Sequence, residues 1–320
     1  MPMIDMPLEK LYEYGGRNPR PADFDAFWER SLAELEALEP APEFIPADFS
    51  SSVADAYDLY FTSVKGARLH AKLLKPKGVS GRMPAVLMFH GLSGDCGDWV
   101  SKIPYASEGF VVAALDTRGQ GGCSQDVGSV YGTSYTTPFM RGFDGAPEEL
   151  YGRDVFLDTV MLARVVTSLQ YVDAGRVCAT GGSQGGALTV ACAALFPSLK
   201  LAAPVYPYMA DYKRVWEMDL DKGAYEGIRY YFRHFDPRHE RVDEIFTKLG
   251  YIDLQFLASR IRAKTLMGTG LMDTTCPPST QFAIYNKMTC DKEVLIYPDF
   301  GHENLTGHSD VVFRFIRDNL

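Results

Sequence analysis

The sequence predicts an α/β fold with a mostly parallel central sheet and helices on both faces. Two patterns carry this prediction. Short runs such as PAVLMFH (84–90) and FVVAALD (110–116) are apolar almost throughout, as strands are when helices cover both faces of their sheet. These runs alternate with longer stretches of helical periodicity, which is the order that crossover connections between parallel strands require.

An N-terminal helical extension over residues 1–50 is expected to precede this alternating region. Its first 20 residues are polar, contain Gly and Pro, and predict an arm. Residues 22–38 place their apolar side chains on one face at helical spacing and predict an amphipathic helix. The Pro and Ser content of residues 41–52 predicts a linker into the sheet.

The remaining elements form a regular series. A hairpin is expected at 56–64 and 67–76, buried strands at 84–90, 110–116, 176–180, 202–206, 265–270 and 294–297, and helices at about 152–170, 184–196, 279–289 and 308–319. Residues 121–148, rich in Gly, Ser, Tyr and Thr, predict a long loop, and residues 209–262 predict a charged helical insertion. We interpret residues 1–320 as a single domain.

Composition and charge exclude several classes of partner. The chain has 32 basic and 41 acidic residues, a net charge of -9, which disfavours nucleic acid and anionic membranes. No apolar run approaches the roughly 20 residues that span a bilayer, and the N-terminus lacks the pattern of a secretory signal. The six cysteines are scattered without a CxxC pair, which favours reduced thiols in a cytoplasmic protein.

The strongest local motif is GGSQGG at 181–186, which contains G-x-S-x-G around Ser183. An apolar strand, RVCAT, ends just before the motif, and an apolar helix, ALTVACAALF, follows it. A nucleophilic serine needs this setting, because it must sit on a sharp turn between a strand and a helix. A phosphate-binding loop is the alternative, but the lysine that such a loop requires is missing. Ser183 is therefore the predicted nucleophile.

A serine nucleophile needs a base and an acid, which follow it in the order acid, then histidine, in this type of site. His302 follows the last predicted strand and is the expected base, whereas His308 begins the final helix and is expected at the surface. Asp273 follows the preceding strand and is the expected acid. Asp299 competes for that role, but it lies only three residues before His302 on the same segment.

Two backbone N–H groups should stabilise the oxyanion of such a reaction. We expect one from Gln184, directly after the nucleophile, and one from Leu92 in the loop HGLSG (90–94), with His90 as an orienting residue. The histidines and cysteines lack metal-ligand spacing, and no G-x-G-x-x-G follows a first strand. The sequence therefore predicts no metal and no cofactor.

Together, the blocks RGQ (118–120), GGSQG (181–185) and HE (302–303) resemble carbohydrate esterase family seven, the acetyl xylan esterases and cephalosporin C deacetylases. The resemblance runs over nearly the whole chain. It implies an α/β-hydrolase fold, with Ser183, Asp273 and His302 as the triad and with the Leu92 and Gln184 N–H groups as the oxyanion hole.

The resemblance also implies supporting roles. Arg118, Gln120 and Glu303 would hold the site without reacting, and Leu92 and Thr275 would line the acyl pocket. Leu92 departs from the family pattern, because many members carry tyrosine there. Members are typically cytoplasmic, ring-like homohexamers that act on small acetylated molecules.

We therefore expect a serine esterase that deacetylates small carbohydrates such as xylo-oligosaccharides, and cephalosporin C. A peptidase or lactone hydrolase of the same fold would use the same triad, although the chain has no room for the propeller domain of oligopeptidases. A silent carbohydrate-binding protein is a second alternative. The presence of all three triad residues argues against it.

Overall fold

A computed structural model describes residues 4–127 and 137–320. Within these residues a nine-stranded sheet has the order β1-β2-β3-β5-β4-β6-β7-β8-β9. The strands are β1 (Glu43–Pro46), β2 (Ala54–Thr62), β3 (Arg68–Pro76), β4 (Met83–Phe89), β5 (Val111–Leu115), β6 (Val172–Gly182), β7 (Leu201–Val205), β8 (Lys264–Gly270) and β9 (Lys292–Tyr297). All pairs from β5 across to β9 are parallel, and β1, β2 and β3 add antiparallel pairs at one side. This confirms the mostly parallel sheet.

Helices cover both faces of the sheet. They are α1 (Leu8–Glu13), α2 (Phe24–Glu36), α3 (Ile103–Ser107), α4 (Tyr151–Ser168), α5 (Gln184–Leu195), α6 (Tyr212–Glu217), α7 (Glu226–Phe235), α8 (Val242–Leu249), α9 (Leu254–Leu257), α10 (Pro278–Lys287) and α11 (His308–Asn319). None of the helices in the described ranges is long and apolar enough to cross a membrane.

Side chains alternate between the two faces, as the pleat of a strand requires. Leu87 of β4 packs in the large core with α4 and α5, whereas the preceding Val86 packs with Val312 and Ile316 of α11. Every residue of α5 is buried, so this helix is fixed on all sides. The helix that follows the predicted nucleophile is therefore a rigid support.

The predicted hairpin is confirmed by β2 and β3, and the predicted helix at 22–38 by α2. The N-terminal extension is helical, as expected, and the predicted arm carries α1, whose Leu11 is buried against α10. One prediction for the extension is wrong. The predicted linker contains β1, a short edge strand that pairs with β2. Its pattern is weak because an edge strand tolerates proline and stays exposed.

The two irregular segments differ in character. In the predicted loop 121–148, residues 128–136 lie outside the described residues, and the described part contains only short 3₁₀ turns at Pro138–Met140 and Pro147–Glu149. The segment 209–262 carries helices α6 to α9, as its composition predicts.

Candidate active site

Ser183 lies on a sharp turn between the end of β6 and the start of α5. Its backbone has φ 58° and ψ -119°, a conformation that non-glycine residues rarely adopt. The flanking glycines make the turn possible, because a Cβ on Gly181 or Gly185 would lie 2.4 or 2.1 Å from the Phe89 carbonyl oxygen. The spacing of the motif therefore has a steric cause.

Ser183, His302 and Asp273 form one hydrogen-bonded chain. The distance from Ser183 Oγ to His302 Nε2 is 2.9 Å, and that from His302 Nδ1 to Asp273 Oδ2 is 2.8 Å. A carboxylate only accepts hydrogen bonds, so Nδ1 carries the proton and Nε2 accepts from the serine hydroxyl. This tautomer is the one in which the imidazole can take a proton from Ser183.

Asp273 is held in place by its own turn. It is fully buried, and its Oδ1 accepts hydrogen bonds from the backbone N–H groups of Thr275 and Cys276, both at 2.8 Å. Asp299, the competing acid, is exposed and has no hydrogen bond to His302. The geometry therefore includes Asp273 in the hydrogen-bonded chain with His302 and Ser183, and it leaves Asp299 outside that hydrogen-bonded chain.

The expectation that His308 lies at the surface is wrong. Its side chain is only 4% exposed, and its Nδ1 lies 3.0 Å from the hydroxyl of Tyr297. The ring fills the space above Gly268 of β8, where a Cβ would lie 2.5 Å from the imidazole. The first turn of α11 thus packs onto the sheet, and His308 has a structural position.

The loop that carries Leu92 is fixed by His90. The Thr117 N–H donates to His90 Nε2 at 2.9 Å, so Nδ1 carries the proton and donates to the Gly91 carbonyl at 2.8 Å. Burial lowers the pKa of His90, which favours this neutral ring. Within the described residues, neither the Leu92 nor the Gln184 N–H donates a hydrogen bond, so no described protein atom uses either donor.

Gln120 connects the loop of Leu92 to Gln184, the first residue of α5. Its Nε2 donates to Gln184 Oε1 at 2.8 Å, and Gln184 Nε2 donates back to Gln120 Oε1 at 3.0 Å. Gln120 Oε1 also accepts from the Ser93 N–H, next to Leu92, at 2.8 Å. One side chain therefore sets the distance between the two candidate oxyanion donors.

Arg118 anchors the segment that carries Gln120 to α4. It is fully buried, and its Nε and Nη2 each donate to Asp158 at 2.6 Å.

Glu303 is exposed, and its carboxylate accepts from the Gly301 N–H at 3.0 Å in the turn before His302. Thr275 and Leu92, the predicted acyl-pocket residues, are both half-buried. Sequence reasoning missed Asp158, whose partner lies 40 residues away in the chain.

Two groups of residues bring potential metal ligands within 4.8 Å of one another among the described residues. One contains Asp273 and His302 of the hydrogen-bonded chain. The other contains His70, Asp116 and Cys123, which the sequence did not predict to meet. There, Asp116 accepts hydrogen bonds from the His70 ring and from the Cys96 and Cys123 N–H groups, so its two oxygens already hold two loops together.

Comparison with known proteins identifies the family. The sequence model of the acetyl xylan esterase (AXE1) family matches residues 1–319. The chain belongs to this family. Acetyl esterase Axe7A of Xylanibacter ruminicola is 29% identical over 293 residues, which are 87% of this chain, and the match spans 62% of that protein's length.

Two solved structures of acetyl xylan esterases are also similar. The one from Thermoanaerobacterium sp. has 50% identity and a TM-score of 0.97, over 98% of this chain and 99% of that one. The one from Paenibacillus sp. has 35% identity and a TM-score of 0.94, over 98% and 100%. This member of the AXE1 family therefore has the α/β-hydrolase fold, and the predicted family and fold are confirmed.

Proposed function

We propose that this protein is a serine carboxylic ester hydrolase that removes acetyl groups from small acetylated carbohydrates, xylo-oligosaccharides among them. The observation that carries the proposal is the hydrogen-bonded chain from Ser183 through His302 to the buried Asp273. Membership of the acetyl xylan esterase family supports the choice of an acetyl ester.

The reaction proceeds in two steps. Ser183 Oγ attacks the acetyl carbonyl while His302 Nε2 takes its proton, and the oxyanion receives hydrogen bonds from the Leu92 and Gln184 N–H groups. The sugar alcohol leaves with the proton from His302. Water, activated by His302, then releases acetate and restores Ser183. Asp273 keeps the imidazole in the required tautomer throughout.

Cephalosporin C belongs to the proposed substrates because its acetyl ester presents the same scissile bond on a small molecule. We also propose a cytoplasmic homohexamer that binds neither nucleic acid nor membranes. The six unpaired cysteines support a reducing compartment, and the net charge of -9 supports the choice of partners. Sedimentation of the purified protein tests the hexamer.

The test of the function is a deacetylation panel with Ser183→Ala. We expect the wild-type protein to release acetate from acetylated xylo-oligosaccharides and cephalosporin C, and the variant to lose about 10⁴-fold or more in kcat. A fluorophosphonate should label the wild type alone. Turnover by Ser183→Ala near the wild-type rate would refute the mechanism. Cleavage of peptide amides by the wild type faster than its cleavage of acetyl esters would favour a peptidase. A wild type that the fluorophosphonate does not label would favour a silent binding protein.

A further inference from the structure

Tyr206 lies beside the catalytic chain, although the mechanism above does not use it. It follows β7 directly, and its ring centroid is 4.7 Å from that of His302, with an interplanar angle of 54°. On another side, the ring reaches Gly182, where a Cβ would lie 3.3 Å from Tyr206 Cε2. The ring therefore occupies the space between the residue before the nucleophile and the base.

The backbone of Tyr206 is strained and firmly held. Its φ is 32°, in the region that aromatic residues rarely adopt. The Tyr206 N–H donates to the Gly268 carbonyl at 2.7 Å, and the Ser183 N–H donates to the Val205 carbonyl at 3.0 Å. Such strain persists only where the surrounding structure enforces it, and it often marks a functional site.

The ring also lines a cavity of about 540 Å³ beside the site. Gly182, Asn304 and Leu305 contribute to the same wall, but neither Ser183 nor His302 does. Tyr206 thus contacts His302 and also lines this cavity, whereas His302 does not. The side chain of His302 is 22% exposed.

We propose that Tyr206 is a positioning residue for acyl transfer, whose ring confines the His302 imidazole to the orientation that reaches Ser183. The inference rests on the proposed function. When Ser183 loses its proton and attacks, the imidazole exchanges its bond to Ser183 for one to the leaving group, and Asp273 alone holds it by a hydrogen bond. The packed ring supplies the second restraint, so that Nε2 stays in place during the proton transfers.

The hydroxyl is not needed for this role. Among the described residues, it makes no hydrogen bond to another side chain or to the backbone. Burial and the Asp273 carboxylate raise the pKa of Tyr206, so the phenol stays neutral in the working range. Tyr206→Phe therefore removes only the hydroxyl, to which the inference assigns no role.

The test compares kcat and KM of Tyr206→Ala and Tyr206→Phe on an acetyl ester. We expect Tyr206→Ala to lower kcat by about 10- to 100-fold with KM within about threefold, because a misplaced base slows both steps without weakening binding. Tyr206→Phe should keep kcat within about threefold of wild type. If Tyr206→Ala does not fold, Tyr206→Leu replaces it and should lose at least about tenfold in kcat.

A matched control is Tyr171→Ala. Tyr171 is half-buried and directly precedes β6, at the opposite end of that strand from Ser183. Tyr171→Ala should keep kcat within about threefold of the wild-type value. A folded Tyr206→Ala with wild-type kcat, or a Tyr206→Phe as slow as Tyr206→Ala, would overturn the inference. Ser183→Ala is measured in parallel. If Ser183→Ala is inactive and Tyr206→Ala keeps wild-type kcat, only this inference is rejected. If Ser183→Ala is active, the proposed function itself is rejected.

Discussion

Gln120 and Gln184 are joined by two antiparallel amide hydrogen bonds, each Nε2 donating to the other Oε1 at 2.8 and 3.0 Å. Gln184 is the first residue of α5 and cannot shift, since that helix is buried throughout. Gln120 also holds Ser93, so the pair transmits the rigid position of α5 to the loop of Leu92. The two proposed oxyanion donors are thus linked by side chains to which the proposed mechanism assigns no contact with the reacting atoms.

Loss of this connection should slow the chemical step. Gln120→Ala releases the Leu92 loop from α5, and we expect kcat on 4-nitrophenyl acetate to fall by about 10- to 100-fold, less than for complete removal of an oxyanion donor. Gln125→Ala, at an exposed glutamine further along the same segment, is the control and should retain wild-type kcat. Equal rates for both variants would show that the pair does not position the loop.

The two candidate acids give a matched pair of substitutions. Asp273→Asn leaves an amide where His302 Nδ1 needs an acceptor, which favours the wrong tautomer, and kcat should fall by about 10⁴-fold. Asp299→Asn changes an exposed residue outside the hydrogen-bonded chain and should leave kcat unchanged. Rates of acetate release at pH 7.5 distinguish the two, and a large loss for Asp299→Asn alone would reverse the assignment.

The strands, the helices and the three residues of the hydrogen-bonded chain were predictable because their causes are local. Apolar runs and the glycines at fixed positions around Ser183 can be read within a few residues, and the chain order of acid and base needs no knowledge of contacts between distant segments. The expectation for Asp273 rested on the chain order, on its place after a separate strand and on the family resemblance, and the geometry agrees with it.

What the sequence did not predict depends on contacts between distant segments. β1 is recognisable only through its pairing with β2, and the buried position of His308 only through Gly268. Tyr206 gave no signal either, because a strained backbone conformation at a strand end is set by its neighbours and not by its own propensity.

The buried pair of Arg118 and Asp158 should matter for stability. Arg118→Met removes the cation and leaves the Asp158 carboxylate buried without its main partner, and the free energy of unfolding should fall by about 3–5 kcal/mol. The double variant Arg118→Met/Asp158→Leu removes both charges and should recover most of the loss. Urea unfolding followed by circular dichroism measures both, and a double variant as unstable as the single one would contradict this account.

Asp253 should make stability depend on pH. Burial and the neighbouring Asp211 carboxylate raise the pKa of Asp253 to about 7 in the folded protein, against about 4 for an ordinary aspartate. Folding therefore takes up a proton between these values, so the contribution of this group to the free energy of unfolding is largest at low pH and is lost as pH rises from about 4 to about 7.

Asp253→Asn removes the titrating group, so its free energy of unfolding should fall less between pH 5 and pH 8 than that of the wild type. The difference should be on the order of a few kcal/mol. Asp243→Asn is the control, because the Asp243 side chain is 95% exposed and should leave the pH dependence as it is. Urea titrations at these pH values measure the free energy of unfolding. If that free energy changes with pH equally in the wild type and in Asp253→Asn, the raised pKa of Asp253 is contradicted.

Acyl-chain preference tests the proposed place of Leu92. The proposed oxyanion hole uses the main-chain N–H of Leu92, so a change of its side chain should spare the chemistry and alter only the space beside the acyl group. Each additional methylene in such a pocket contributes about 1–3 kcal/mol to discrimination. We therefore expect the wild type to prefer 4-nitrophenyl acetate over butyrate, and Leu92→Ala to raise the butyrate-to-acetate ratio of kcat/KM by at least about tenfold, with kcat on acetate within about threefold. A variant that loses activity on both esters equally would indicate that the side chain supports the loop and does not line the pocket.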